Sequence, residues 1–385
     1  MQVLAIVFLS ISIILVSIFV LLSQTFMGLL ISEIGLWIAW LPFIMICVSI
    51  PFLIINVNIQ PRWEFFLLLT SLILNLFNFV YMLRPFVNVK RINKKFQNQM
   101  YHYLGKKYLE TIEPELKIKY EKSARFSFKD YFSGMNYKEI DASVTTVDNI
   151  TYREVNGIEL KLNVYYPKEM GCYPIIVYIH GGGWMRGSKD RFLELRVLKK
   201  LASLGYVVFN IDYRLAAMPT ITTINEIPHD NHTILEMVSD VRSAILYAQK
   251  NAAKYHGDSD YIFVFGRSAG AHLALLTAFS CEKEYFDKEG IKCSIKDFDL
   301  TGVIAFYPIT DIKELYEFYG EDNFVLKQSI IRSTGSLEKN VNLYEIFSPI
   351  SYINEKTQEK IPPVFLSAGK RDRLVDAYQS EELFE

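Results

Sequence analysis

The sequence predicts an α/β protein: a mostly parallel sheet with helices on both faces, preceded by an all-α transmembrane segment. Three observations carry that expectation. Three apolar runs crowd residues 1–87. From about residue 147, short apolar runs alternate with helix-prone ones, the pattern of a parallel sheet. One of those runs, Tyr261–Phe265, ends abruptly at Gly266-Arg267-Ser268-Ala269-Gly270, and an Ala/Leu-rich helical pattern follows at once.

Composition sets the bounds. Of 385 residues, 51 % are hydrophobic, too many for one ordinary soluble domain. The length allows a large domain with something added. A net charge of −1 gives no sign of nucleic-acid binding. Cys47, Cys172, Cys281 and Cys293 are scattered, without a Cys-x-x-Cys or a Cys/His cluster, so no metal site is expected. That usage suits a reducing compartment; outside the cell Cys281 and Cys293 are the pair to join.

Residues 1–87 read as a membrane segment of about three helices. Val3–Leu22, Gly35–Ile55 and Phe65–Leu83 each approach the ~20 residues that cross a hydrocarbon core. Two or four spans are the alternatives. Trp37, Trp40, Trp63 and Tyr81 lie toward the ends, as interface anchors do. The first run has neither a basic leader nor a small-residue cleavage pattern, so it does not read as a signal peptide. Asn75 and Asn78 are expected either to bond a neighbouring helix or to satisfy themselves on backbone near an interface. Basic residues cluster after the third run (Arg84, Lys90, Arg91, Lys94, Lys95, Lys106, Lys107), which places that end in the cytoplasm, at the plasma membrane.

Residues 88–146 read as a basic helical connector and linker. Within 88–129 eleven Lys/Arg meet four Glu, a net +7. Such a segment lies on an anionic leaflet or stands as a solvated helix.

The expected domain runs over 147–385. Ile150–Val155 and Glu159–Tyr165, joined by Asn156-Gly157, read as a β-hairpin. Pro174–Ile179 is a continuous apolar run, as in a strand buried on both faces, and Tyr206–Ile211 reads as the next buried strand. Lys189–Leu204 and Asn231–Tyr255 read as helices. After Tyr261–Phe265 and its helix come a strand at Gly302–Tyr307, a less regular insert at 312–347, a strand at Pro363–Ala368 and an amphipathic helix from near Leu374.

Two motifs suggest chemistry. A strand, a Gly-x-Ser-x-Gly turn and a helix form the context of a nucleophile elbow, with Ser268 at the helix N-terminus. His180-Gly181-Gly182-Gly183-Trp184 follows the Pro174–Ile179 run. Consecutive glycines let backbone N–H groups approach a ligand, which beside a nucleophile is half of an oxyanion hole. His180 itself is expected to buttress its loop. Asp372, after the last strand, has the chemistry to orient a histidine; Asp376 is its rival, and either also suits a helix cap.

These stretches, with Asp212-Tyr213-Arg214-Leu215, Ser348-Pro349-Ile350 and Gly369-Lys-Arg-Asp372, resemble the α/β-hydrolase fold. Within it they resemble the esterase/lipase branch related to hormone-sensitive lipase and to bacterial feruloyl-esterase-like carboxylesterases. The likeness spans about 150–380 and omits the membrane segment. It implies Ser268 as nucleophile, Gly182, Gly183 and Ala269 as oxyanion donors with Gly181 a further candidate, and Asp372 as triad acid. It implies Asp212 and Arg214 as a structural pair bracing the sheet.

One departure stands out. The order in that fold is Ser, Asp, His, and the six histidines (His102, His180, His229, His232, His256, His272) all precede Asp372. The last strand and helix of the fold are not seen. A truncated chain, a non-catalytic homologue, or a contribution from His229 or His232 are the competing accounts. The expectation is a membrane-anchored serine esterase acting on a small-molecule or lipid ester, without metal or organic cofactor. A silent binding module or an acyltransferase is the alternative.

Overall fold

The computed structural model describes residues 2–17, 40–57, 63–105, 107–114, 117, 137–220, 227–228, 230–287, 300–320, 323–354, 361–370 and 372–385. The chain divides into two units, Met1–Phe126 and Ser127–Glu385.

The first unit contains α1 (Gln2–Val16), α2 (Trp40–Val57) and α3 (Trp63–Leu104). α3 packs against both others. Its buried face is a stripe at spacings of four and three residues: Glu64, Leu68, Ser71, Asn75 and Asn78. That period keeps one seam turned to neighbouring helices. Asn75 Nδ2 donates to Ser12 Oγ on α1 (2.7 Å), and the Ser12 and Ser71 hydroxyls lie 2.8 Å apart. Asn75 therefore bonds across helices, the first of its two expected readings. Asn78 is fully buried, with neither amide atom hydrogen-bonded. Among the described residues one helix, Trp63–Tyr81, is long and apolar enough to cross a membrane. The expected spans Val3–Leu22 and Gly35–Ile55 run partly outside the described residues, as do Trp37 and positions 118–136 of the connector. α3 continues unbroken past the expected boundary at residue 87, through Lys90, Arg91, Lys94 and Lys95.

The second unit opens with α4 (Tyr137–Ser143), then β1 (Val144–Val155), β2 (Ile158–Pro167), β3 (Tyr173–Ile179), α5 (Phe192–Ser203), β4 (Val207–Ile211) and α6 (Ile234–Lys250). It continues with β5 (Gly257–Arg267), α7 (Ala269–Phe279), β6 (Leu300–Phe306), α8 (Ile312–Phe318), α9 (Phe324–Thr334), α10 (Val341–Ile346), β7 (Val364–Ser367) and α11 (Ala377–Phe384). The seven strands lie in the order β1-β2-β4-β3-β5-β6-β7. β1–β2 and β2–β4 pair antiparallel, and the other four pairings are parallel. The hairpin turn has positive φ at both Asn156 (49°) and Gly157 (79°), which matches the right-handed twist of its strands.

β3 reads as an unbroken apolar run, and β4 as one broken only at Asn210, because both faces of the sheet are covered. Ile175, Val177, Ile179, Val207, Phe209 and Ile211 pack on one side with Met237, Val238 and Val241 of α6 and with α7. Ile176, Tyr178 and Val208 alternate to the other side, against Leu198 and Ala202 of α5 and Ile140 of α4. Each such aliphatic side chain contributes about 1.5–3 kcal/mol. The insert at 312–347, expected to be irregular, is three short helices. None is long enough for its period to stand out, and Asp311 caps α8 by accepting from Lys313 and Glu314 N–H.

Candidate active site

Parallel strands β3, β5, β6 and β7 deliver their C-terminal ends to one edge of the sheet, where ligand sites of open α/β folds form. Ser268 sits there, between β5 and α7, with φ 53° and ψ −127°. A serine holds such a conformation only where its surroundings force it. Its N–H donates to Phe306 O (2.9 Å), and its carbonyl accepts from His272 N–H (3.0 Å). The flanking glycines are required by contact. A Cβ placed on Gly270 would lie 2.2 Å from Ile179 O, and one on Gly266 would lie 2.3 Å from Gly270 O. The elbow is thus seated directly on the end of β3.

The glycine loop reaches the same place. A Cβ on Gly181 would stand 3.3 Å from Ser268 Cβ and 2.7 Å from Arg267 O. Gly182 (φ 144°) turns against Arg186 O, where a Cβ would meet it at 1.9 Å. Gly183 (φ 60°) faces Ser329 of α9, 3.7 Å from a notional Cβ to Ser329 Cβ. The insert thereby packs against the glycine loop. Ala269 opens α7, so its N–H is one that the helix leaves unbonded.

The histidines of the glycine loop and of the elbow helix are both occupied. His180 is fully buried, its Nδ1 3.1 Å from Gly181 O and its ring stacked on Tyr213 at 4.4 Å. His272 accepts from Trp184 Nε1 at Nδ1 (3.2 Å) and donates from Nε2 to Phe347 O (2.7 Å). Burial lowers each to about 4, so both rings are neutral at pH 7. His180 thus buttresses the glycine loop, as expected. His256 caps a 3-10 turn after α6, and His102 packs on Tyr103 in α3. His229 lies outside the described residues, as do Cys293 and its expected pairing with Cys281.

Asp372 lies in the turn after β7. Its N–H donates to Gly369 O (2.9 Å), and its Oδ1 accepts from Leu374 N–H (2.8 Å) and Val375 N–H (3.1 Å). These bonds fix the carboxylate's direction. Tyr319 in the insert feels its charge, which with burial raises the phenol. Asp376 instead caps α11 through Tyr378 N–H. Among the described residues no group of three or more His, Cys, Asp or Glu is arranged to hold a metal ion.

Residues 162–385 match the BD-FAE family. The chain belongs to that family. It is 27 % identical over 228 residues to Esterase LipC of Mycobacterium tuberculosis (strain ATCC 25618 / H37Rv), covering 58 % of this chain and 51 % of that one. It is also 27 % identical over 232 residues to a probable isoprenylcysteine alpha-carbonyl methylesterase, ICMEL1, of Oryza sativa subsp. japonica, covering 58 % and 49 %. The chain spans about half the length of the curated relatives it matches. A crystal structure of esterase B from Lactobacillus rhamnosis aligns over 70 % of this chain and 79 % of that one, with a TM-score of 0.49 and 22 % identity.

In this BD-FAE member two features lay beyond the sequence reading. Asp212 and Arg214 do not pair with each other. Asp212 Oδ1 accepts from Lys189 N–H (2.6 Å), whereas Arg214 clamps Asp240 of α6 with Nε (2.9 Å) and Nη2 (2.8 Å). Arg153 of β1 reaches the same carboxylate at 2.8 Å. Burial pushes Asp240 up against the pull of both arginines. The second feature is a Glu194–Arg267–Tyr307 set behind the nucleophile. An aspartate in mid-helix and a glutamate in a first turn carry no motif, so neither had a sequence signal beyond its charge.

Proposed function

We propose that this chain is a membrane-anchored carboxylic-ester hydrolase of the esterase/lipase type. The observation that carries the reading is Ser268, held at positive φ with Gly181 against its side chain. Ser268 attacks the ester carbonyl. The N–H groups of Gly182, Gly183 and Ala269 receive the oxyanion, each donor contributing about 3 kcal/mol by comparison with measured cases. Asp372 orients the histidine that takes the serine proton and returns it to the leaving alcohol, and water then releases the acid. His180 and His272 both hold structural bonds and are neutral, so neither is assigned as the base, and the histidine that Asp372 orients is another one. Membership of the BD-FAE family and relatives named as esterases support the chemistry. The substrate is a small-molecule or lipid ester.

The anchor rests on α3, whose Trp63–Tyr81 stretch is only 28 % buried. It turns Phe66, Ile73 and Val80 outward and Ser71, Asn75 and Asn78 inward. A core helix of a water-soluble protein does the opposite. The basic run after Tyr81 supports a cytoplasmic hydrolase unit at the plasma membrane.

A fluorophosphonate probe tests the reading on the native protein in detergent. Wild type should label on Ser268 and hydrolyse a short p-nitrophenyl ester, and Ser268→Ala should do neither. The occupation of both buried histidines favours one second reading, a ligand-binding module on the same fold. A native chain that resists the probe would establish it.

A further inference from the structure

The geometry points to a positioning pair for the nucleophile, Glu194 and Arg267, which we propose holds Ser268 in register with the glycine loop. The inference rests on the serine-esterase reading for its kinetic consequence, though not for its structural one. Ser268 sits at φ 53°, a conformation that persists only when over-determined. Its backbone supplies two holds, the bonds to Phe306 O and from His272 N–H. The residue before it supplies the third.

Arg267 directly precedes the serine, and its side chain reaches Glu194 and Tyr307. Nη2 meets Glu194 Oε1, and Nη1 donates to the Tyr307 hydroxyl at 3.1 Å. Glu194 stands in the first turn of α5, the helix that follows the glycine loop. Arg191 Nε lies 3.5 Å from the same Glu194 oxygen. Tyr307 follows β6 with φ 41°, and its own N–H donates to Ser367 O at the end of β7 (2.6 Å). Arg267 also touches the glycine loop directly: a Cβ on Gly181 would be 3.4 Å from Arg267 Cγ.

The guanidinium therefore links Glu194 of α5 to Tyr307 at the exit of β6, while the stem of the same side chain runs beside the glycine loop. An ion pair in open solvent would hold little. This one has side-chain exposures of 20 % for Arg267 and 8 % for Glu194. Glu194 fixes the guanidinium from the glycine-loop side and Tyr307 from the acid side, which leaves Arg267 little room to rotate. Because the Arg267 carbonyl lies against Gly181, a shift at Arg267 changes the spacing between nucleophile and oxyanion donors. Misplacement of about 1 Å is enough to cost about 100-fold in rate.

The test uses the full chain in detergent with Glu194→Ala, Arg267→Met, Tyr307→Phe and the Glu194→Ala/Arg267→Met double variant. Two readouts run in parallel: the rate of fluorophosphonate labelling with ester kcat and KM, and amide hydrogen exchange across 266–273. Glu194→Ala and Arg267→Met should each slow labelling and kcat by about 10- to 100-fold, with KM nearly unchanged. The double variant should be no slower than the worse single one. Glu194→Gln, which keeps a hydrogen-bonding oxygen, should recover part of the rate. Exchange should quicken at 266–273 and stay unchanged in the β1–β2 hairpin. Labelling, kcat and exchange all at wild-type values would overturn the proposal, and so would exchange rising evenly through the sheet, the mark of general destabilisation. If wild type itself does not label, exchange alone decides: local quickening sustains the positioning pair while the esterase reading falls.

Discussion

The two units of this chain differ in how much polar surface their helices enclose and how much apolar surface they leave outside. In Ser127–Glu385 the sheet buries Ile175, Val177, Phe209 and Ile211 completely, and its most enclosed carboxylate, Asp240, meets two arginines. In Met1–Phe126 the enclosed stripe of α3 carries four polar residues, Glu64, Ser71, Asn75 and Asn78, beside Leu68, while Phe66 (60 % exposed) and Ile73 (58 %) face outward. The membrane anchor proposed for α3 accounts for that difference. In water every outward phenylalanine or isoleucine of α3 would forgo about 1.5–3 kcal/mol of burial. In hydrocarbon nothing is forgone, and polar groups gain by facing each other.

The largest effect that would sharpen this contrast is at Asp240. Asp240→Ala leaves Arg214, itself 4 % exposed, enclosed without its counter-charge. Loss of one partner of a buried pair costs about 3–5 kcal/mol. Denaturant unfolding of the Ser127–Glu385 unit should show that loss as a lowered midpoint at unchanged slope. A drop below about 1 kcal/mol would mean that water reaches the Arg214–Asp240–Arg153 cluster.

Next comes Ser268→Gly. Relief of the positive-φ backbone contributes about 1–3 kcal/mol, from which glycine's extra unfolded-state entropy removes about 0.5–1 kcal/mol. The variant should melt above wild type while losing all probe labelling. A variant melting below wild type, by the about 0.5–1 kcal/mol that glycine's entropy alone costs, would show that the elbow stores no strain. The polar group that the α/β unit places at its surface edge would then be as relaxed as those in its core.

What the sequence made legible in this fold follows the same line. β3, β4 and β5 were readable because a strand buried on both faces has no polar alternation to confuse it. The hairpin was readable because Asn156-Gly157 is chemistry that few other turns need. Ser268 and Gly181–Gly183 were readable because glycine is demanded where an added Cβ would lie 2.2–2.7 Å from a neighbouring backbone oxygen, as at Gly270 and Gly181. The Arg214–Asp240 and Arg267–Glu194 pairings were not, since each joins positions 26 and 73 residues apart through tertiary geometry alone. In the α3 stripe the apolar composition was plain, but its inversion was visible only once burial was known.

A smaller effect tests the inverted unit directly. Asn75→Leu removes the bond to Ser12 and adds an apolar side chain of similar size. Interhelical hydrogen bonds in membrane proteins average about 0.6 kcal/mol and reach at most about 1.7. Thermal unfolding in lipid nanodiscs should therefore register a shift well below that of Asp240→Ala. A cost matching Asp240→Ala would place Asn75 in an environment like the core of the second unit and break the comparison.

The smallest effect concerns a carboxyl with no arginine to answer it. Glu314 of α8 accepts from Gln379 Nε2 of α11 at 2.5 Å, and Gln379 Oε1 in turn accepts from Thr310 N–H (2.7 Å) and Asp311 N–H (2.9 Å). Partial burial, together with the charges of Glu382, Asp311 and Asp376, raises Glu314 from 4.5 to about 7. The folded state therefore holds this proton more tightly than the unfolded one. Its contribution to stability is full below pH 4.5 and declines as pH rises toward about 7. Glu314→Gln mimics the protonated form, so melting curves of variant and wild type should coincide at the acid end of that window and separate above it, wild type lower. The reverse order above pH 7 would mean that Gln379 holds Glu314 as a carboxylate. The α8–α11 clasp would then rest on a charged hydrogen bond, as the Arg214–Asp240 site does, and half-burial without a cation would cost this unit nothing.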